Sequence, residues 1–135
     1  MDRMAGSLDA NVLLRLLLND VPEQHQAALK LYNHSRGQFA IADTAIIEII
    51  FVLSGANYRF SRIEVVEAIE GLMELEKVSC NHALFEKALP LFANHPKLSF
   101  EDCCLATYAQ LENAEPLWTF DKKLASQVSG TKLVP

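Results

Sequence analysis

Short apolar stretches of strand length alternate with longer segments of helical spacing from one end of this chain to the other. Parallel neighbours in a sheet need crossover connections, and these are helical and right-handed. The alternation predicts an α/β protein in three layers, with a central parallel sheet of about four or five short strands flanked by helices. At 135 residues the chain is near the size of one ordinary core, so residues 1–135 are read as a single domain.

Residues 6–8 form the first expected strand, which Asp9 ends. Residues 11–18 are apolar except at Arg15, predicting a helix buried nearly all round, with Asn11, Arg15 and Asn19 as its one polar stripe. Pro22 suits a first helical turn and opens a helix to about His34. Gly37 ends that helix, residues 39–42 are a strand, and Asp43 and Thr44 are capping types before a helix to Leu53. Ser61 leads into a helix to residue 76, with Ile63, Val66, Ile69, Leu72 and Met73 at helical spacing. Residues 77–80 are a strand, and Asn81 caps a helix through Phe92 that must accommodate Pro90. Ser99 opens a helix to Leu111, residues 116–119 are a strand, Asp121 opens a short helix, and residues 132–134 form the last strand.

Half the residues are hydrophobic and 21% are charged, enough apolar material for a real core and too much for disorder. A formal charge of −5 argues against a broad basic surface for nucleic acid and leaves room only for a small, locally basic groove. The longest apolar stretches, 12–18 and 45–53, are interrupted by Arg15 and Glu48. Both fall short of the ~20 residues needed to cross a bilayer, so no membrane span is expected. Residues 1–7 lack the features of a signal peptide, and Met4 is an alternative start. Three cysteines cannot all pair within the chain and form no Cys-x-x-Cys, which fits a reducing, cytoplasmic location. The histidines at 25, 34, 82 and 95 lack the spacing of a zinc site on one helix.

In open parallel sheets, chemistry collects beyond the carboxyl ends of the strands, so acids there matter most. Asp9 stands at such an end, although capping the first long helix is its ordinary explanation. Glu48 lies within Ile46-Ile47-Glu48-Ile49-Ile50, either on a narrow exposed stripe or with a partner, and Thr44 one turn earlier suits both readings. Asp102 follows Ser99 by three residues, close to a capping box. Asp121 follows a strand and is also of capping type, with Thr119 projecting to the same side. Asp43 is left as a cap.

Capping explains the aspartates one at a time; the four acids together raise a sharper hypothesis. If they converge, each pair at about 5 Å repels by roughly 3 kcal/mol at an effective dielectric near 20. A bound cation offsets that repulsion, and oxygen-only ligands favour Mg²⁺ or Mn²⁺ over zinc. Such a cation activates water and stabilises the charge on an attacked phosphodiester, which points to hydrolysis of nucleic acid and reconciles that substrate with an acidic protein. Arg15, Lys122 and Lys123 are nearest in sequence to these acids and are candidates for holding substrate phosphates, against an ordinary reading as solvated charges.

The order Leu8-Asp9-Ala10-Asn11-Val12-Leu13-Leu14-Arg15, Thr44 with Glu48, Phe100-Glu101-Asp102-Cys103-Cys104-Leu105-Ala106 and Thr119-Phe120-Asp121 resembles the PIN-domain family, most closely its VapC-like toxin branch. The resemblance covers nearly the whole chain. It implies a PIN-like fold, a Mg²⁺- or Mn²⁺-dependent endoribonuclease, a cognate antitoxin protein as partner and a homodimer. Carried over by position, Asp9, Glu48 and Asp102 would be the main catalytic and metal-site acids and Asp121 a fourth, with Asn11, Thr44 and Thr119 supporting them through hydrogen bonds. Cys103-Cys104 departs from the small and aliphatic pair usual after the third acid. Two other readings stay open: a nuclease acting on DNA or other nucleic acid, and a catalytically inactive domain whose acids hold a cation or a basic partner peptide.

Overall fold

A computed structural model describes residues 3–135, which fall into two compact units, one ending at Asn81 and the other His82–Pro135. The first contains β1 (Met4–Ser7), α1 (Ala10–Leu17), α2 (Pro22–His34), β2 (Gln38–Ala40), α3 (Asp43–Ser54), α4 (Arg62–Met73) and β3 (Val78–Ser79). Its strands are parallel in the order β1-β2-β3, so α1 with α2 and then α3 with α4 make the crossovers that the alternation requires. Close approach of β1 depends on Gly37, where a Cβ would collide with the backbone carbonyl of Arg3.

Each helix buries the face that its spacing marks out. On α3, Ala45, Ile46, Ile49, Ile50 and Leu53 are buried, and on α4 Val65, Ile69, Leu72 and Met73. A reciprocal capping box between Ser61 and Glu64 starts α4 and, through the backbone bond from Ser61 first, holds the Glu64 carboxyl below its usual range. This helix ends at Met73 rather than 76, because the backbone turns through Leu75 to bring Val78 beside Phe39. α1 is less buried than its composition predicts. Ala10, Leu13 and Leu14 are buried, whereas Leu16, Leu17 and Leu18 are half-exposed walls of a cavity of about 390 Å³.

α2 is mostly polar and fully buries only Ala28. Its C-terminal end is closed from a distance by Lys77, whose Nζ donates to the carbonyls of Tyr32 (2.9 Å), Asn33 (3.2 Å) and Ser35 (2.9 Å) and sits 5.3 Å from the Tyr32 ring centre. A cation there complements the negative end of the helix dipole and satisfies carbonyls left without intrahelical partners.

The second unit contains α5 (His82–Asn94), α6 (Phe100–Leu111), β4 (Leu117–Thr119), α7 (Lys122–Gln127) and β5 (Thr131–Leu133). α5 runs through Pro90 without ending. Phe100 packs against Phe85 (6.0 Å between ring centres) and edge-on to Phe92 (5.5 Å), joining α5 to α6. β4 and β5 pair in parallel, with Trp118 opposite Lys132 and Thr119 opposite Leu133. The buried Thr131 hydroxyl faces the carbonyls of Leu124 and Val128, tying α7 to β5. The expected parallel strands thus hydrogen-bond as a set of three in one unit and a set of two in the other.

Candidate active site

Asp9 is the N-cap of α1. Its backbone is extended, and its Oδ1 accepts from the Val12 amide at 2.9 Å. The residue is exposed and lines an open cavity of about 360 Å³ with Asn11, Val12 and Arg15 of α1 and Gln24, Ala27, Ala28 and Leu31 of α2. The α2 wall has the i, i+3, i+4, i+7 spacing of one helix face, a pattern visible in the sequence that nothing local joins to Asp9.

Arg15 is not a solvated charge. Its side chain is only 14% exposed; Nη1 meets Asp20 Oδ1 at 2.9 Å and Nη2 donates to the Tyr58 hydroxyl at 3.3 Å. Tyr58 in turn donates to Asp20 Oδ2 at 2.5 Å. This hydroxyl first, with the Arg15 guanidinium as a smaller cause, holds the Asp20 carboxyl below its usual range. The Arg15 carbonyl is engaged as well, by His25 Nδ1 at 2.6 Å. Arg15 is therefore fixed on one side while still reaching the Asp9 cavity.

Glu48 lies on the exposed face of α3 with Thr44 one turn before it and Phe51 after it. Among the described residues it has no hydrogen-bond or ion-pair partner, and neither it nor Thr44 lines the Asp9 cavity. Asp43 departs from its expected role. Ala42 is the N-cap of α3, and Asp43, one position inside the helix, accepts from Asn81 Nδ2 at 3.1 Å. With burial as the main cause and the Asp43 charge as the second, the nearby Cys80 thiol is pushed up.

In the second unit, Asp102 and Ser99 form a reciprocal capping box at the start of α6. The Asp102 amide donates to Ser99 Oγ at 3.1 Å, and Asp102 Oδ2 accepts from the Ser99 amide at 3.4 Å. Asp121 caps α7 through Oδ1, which accepts from the amides of Lys123 (2.8 Å) and Leu124 (3.2 Å). Thr119 Oγ1 accepts from the Asp121 amide at 3.0 Å, so these two residues are joined as the sequence anticipates. Lys122 and Lys123 are exposed.

All three aspartates bind backbone amides through one carboxylate oxygen, leaving the other without a partner among the described residues. Capping and ligation are therefore compatible in one side chain. The donors are all carboxylate oxygens, a set that favours a hard divalent cation over zinc. Within either unit, among the described residues, no three histidine, cysteine, aspartate or glutamate side chains are grouped to hold a metal. Asp9 with Asn11 and Arg15, and Thr119 with Asp121, are the candidate residues that the structure brings together locally.

Comparison with family models matches residues 7–129 to the PIN domain, a span that runs through both units and includes every candidate acid. The chain belongs to the PIN-domain family. Among solved structures, this PIN domain is similar to a toxin-antitoxin complex from Klebsiella pneumoniae, with 20% identity over 95% of this chain and 96% of that chain and a TM-score of 0.34. A comparison with curated proteins gives no match. No helix among the described residues is long and apolar enough to cross a membrane.

Proposed function

We propose that this PIN domain is a metal-dependent endoribonuclease of the toxin type, using Asp9, Glu48, Asp102 and Asp121 as its acidic set. The observation that carries the reading is that the three aspartates stand at helix starts with one carboxylate oxygen committed to the backbone and the other uncommitted. A side chain oriented by its own cap loses little further freedom on meeting a ligand.

A bound Mg²⁺ or Mn²⁺ supplies the Lewis acidity that activates water and stabilises charge at the phosphate. The cap bonds of Asp9, Asp102 and Asp121 fix the direction of their free oxygens, and Glu48 adds a carboxylate with no competing partner. Thr119 orients Asp121 through its amide, while Asn11 and Thr44 supply polar atoms beside Asp9 and Glu48. Arg15 and Lys122 neutralise phosphates flanking the scissile one. Arg15 does so from a fixed base, since Asp20 and Tyr58 hold two of its nitrogens. The cognate antitoxin and the homodimer belong to the same reading and rest on the motif resemblance. An acidic set of two exposed and two half-buried carboxylates, in a chain of charge −5, is a natural seat for a basic residue of such a partner.

The test is cleavage of labelled single-stranded RNA by wild type, Asp9→Asn and Asp102→Asn with Mg²⁺, Mn²⁺ or chelator. Cleavage is expected only in the metal-supplied wild type. Equal cleavage by either variant removes that acid from the mechanism. Intact RNA alongside a melting temperature raised by Mn²⁺ identifies a cation-binding domain without turnover.

A further inference from the structure

The exposed face of the β4–β5 pair has no role in the acidic set. Trp118 is 57% exposed and Phe120, one residue past β4, is 82% exposed, while Thr119 between them turns to the Asp121 amide. Lys132 is the register partner of Trp118, so the aromatic ring and the ammonium share one face of the ribbon. Lys122 and Lys123 follow directly and are exposed. Two large rings left in water at consecutive outward positions are unfavourable for folding alone.

Charge identifies what would cover them. Residues 117–135 carry Lys122, Lys123 and Lys132 against the single acid Asp121, whereas residues 1–116 carry nine basic and sixteen acidic side chains. The Glu115 carboxylate also lies against Gly130 beside β5, so the ribbon sets three lysines against two acids, a mildly basic stretch in an acidic chain. Flat aromatic rings interleaved with lysines are the combination that binds single-stranded nucleic acid, whose bases stack and whose phosphates pair with ammonium groups. A duplex hides its base faces and offers such rings nothing to stack on. We infer that Trp118 and Phe120 form a stacking platform for unpaired bases of a single-stranded RNA, with Lys122, Lys123 and Lys132 holding its backbone beside Asp121. The inference rests on the ribonuclease reading for its choice of RNA, and it assigns that substrate a docking surface.

Trp118 is the only tryptophan, so its fluorescence reports directly on this face. The probe is oligoadenylate RNA titrated in chelator, where binding is read without cleavage, with an RNA duplex as the control. Single strands are expected to quench Trp118 saturably and the duplex to leave it unchanged. Phe120→Ala should weaken binding by about fivefold to a hundredfold at an unchanged melting temperature, and Phe120→Tyr should restore it. Lys132→Gln should lower the slope of log affinity against log salt by about 0.7. Absent quenching, or equal affinity of Phe120→Ala and wild type, overturns the platform. Loss of self-association in Phe120→Ala with RNA affinity intact also overturns it, by making this face a protein contact. Quenching without any metal-supplied cleavage leaves the platform standing and defeats the nuclease reading; cleavage with unchanged KM in Phe120→Ala does the reverse.

Discussion

Replacing Asp9 in two ways separates its work as a helix cap from its proposed work as a metal ligand. The cap is one hydrogen bond, from the Val12 amide to Oδ1 at 2.9 Å, made by an exposed residue. Asp9→Ala deletes it and should cost about 1 kcal/mol, with a melting temperature lower by roughly 2–5 °C. Asp9→Asn keeps a carbonyl oxygen in the same place, and asparagine caps about as well as aspartate, so its metal-free stability should not fall. The two variants then differ in folding yet agree in chemistry, since neither offers a carboxylate to a cation. Urea unfolding in chelator gives the first comparison. In saturating Mn²⁺, wild type should gain about 2.7 kcal/mol at a hundred times the dissociation constant. Both variants should gain less, and both should lose RNA cleavage. If Asp9→Asn unfolds as easily as Asp9→Ala, or retains cleavage and the full Mn²⁺ gain, the division of the two oxygens between helix and metal is wrong.

Glu48→Gln should raise the metal-free unfolding midpoint if its charge lies near the other acids, and an unchanged midpoint would count against convergence. Tyr58→Phe should move the Asp20 carboxyl up towards its ordinary value of 3.8, read by a carboxyl NMR titration, because the Tyr58 hydrogen bond is the main cause of its depression. The sign for stability follows: with a depressed folded value, the Asp20 contribution is complete above the unfolded value and disappears as pH falls through the folded one. An Asp20 titration unmoved by the substitution would refute the assigned cause. Asp43→Asn should speed alkylation of Cys80 modestly at pH 8, leaving it slower than a free thiol because burial persists. An unaltered rate would remove Asp43 from the account.

Local chemistry was the legible part of this protein. Pro22 at the start of α2, Ser99 with Asp102 at α6 and Asp121 at α7 act within a few residues of themselves, and the structure uses them as their types suggest. Resemblance of the short acidic motifs also led to the PIN-domain family, which the family match establishes. Long-range partners were not legible. Asp43 reads as a cap because nothing adjacent reveals Asn81 as its partner. Arg15 reads as a solvated charge because Tyr58, which fixes it with Asp20, lies 43 residues away. The leucines at 16–18 read as interior because apolar spacing does not distinguish a packed face from the wall of an open cavity.

The ammonium at the tail of α2 has a consequence for how the first unit assembles. With only Ala28 fully buried, this helix draws little from packing, and its last carbonyls wait for a residue that precedes β3 in the chain. Completion of its final turn and arrival of the third strand are then one cooperative event. Amides near the end of α2 and those of β3 should open to solvent as a single unit, exchanging their hydrogens at a common free energy although more than forty positions separate them.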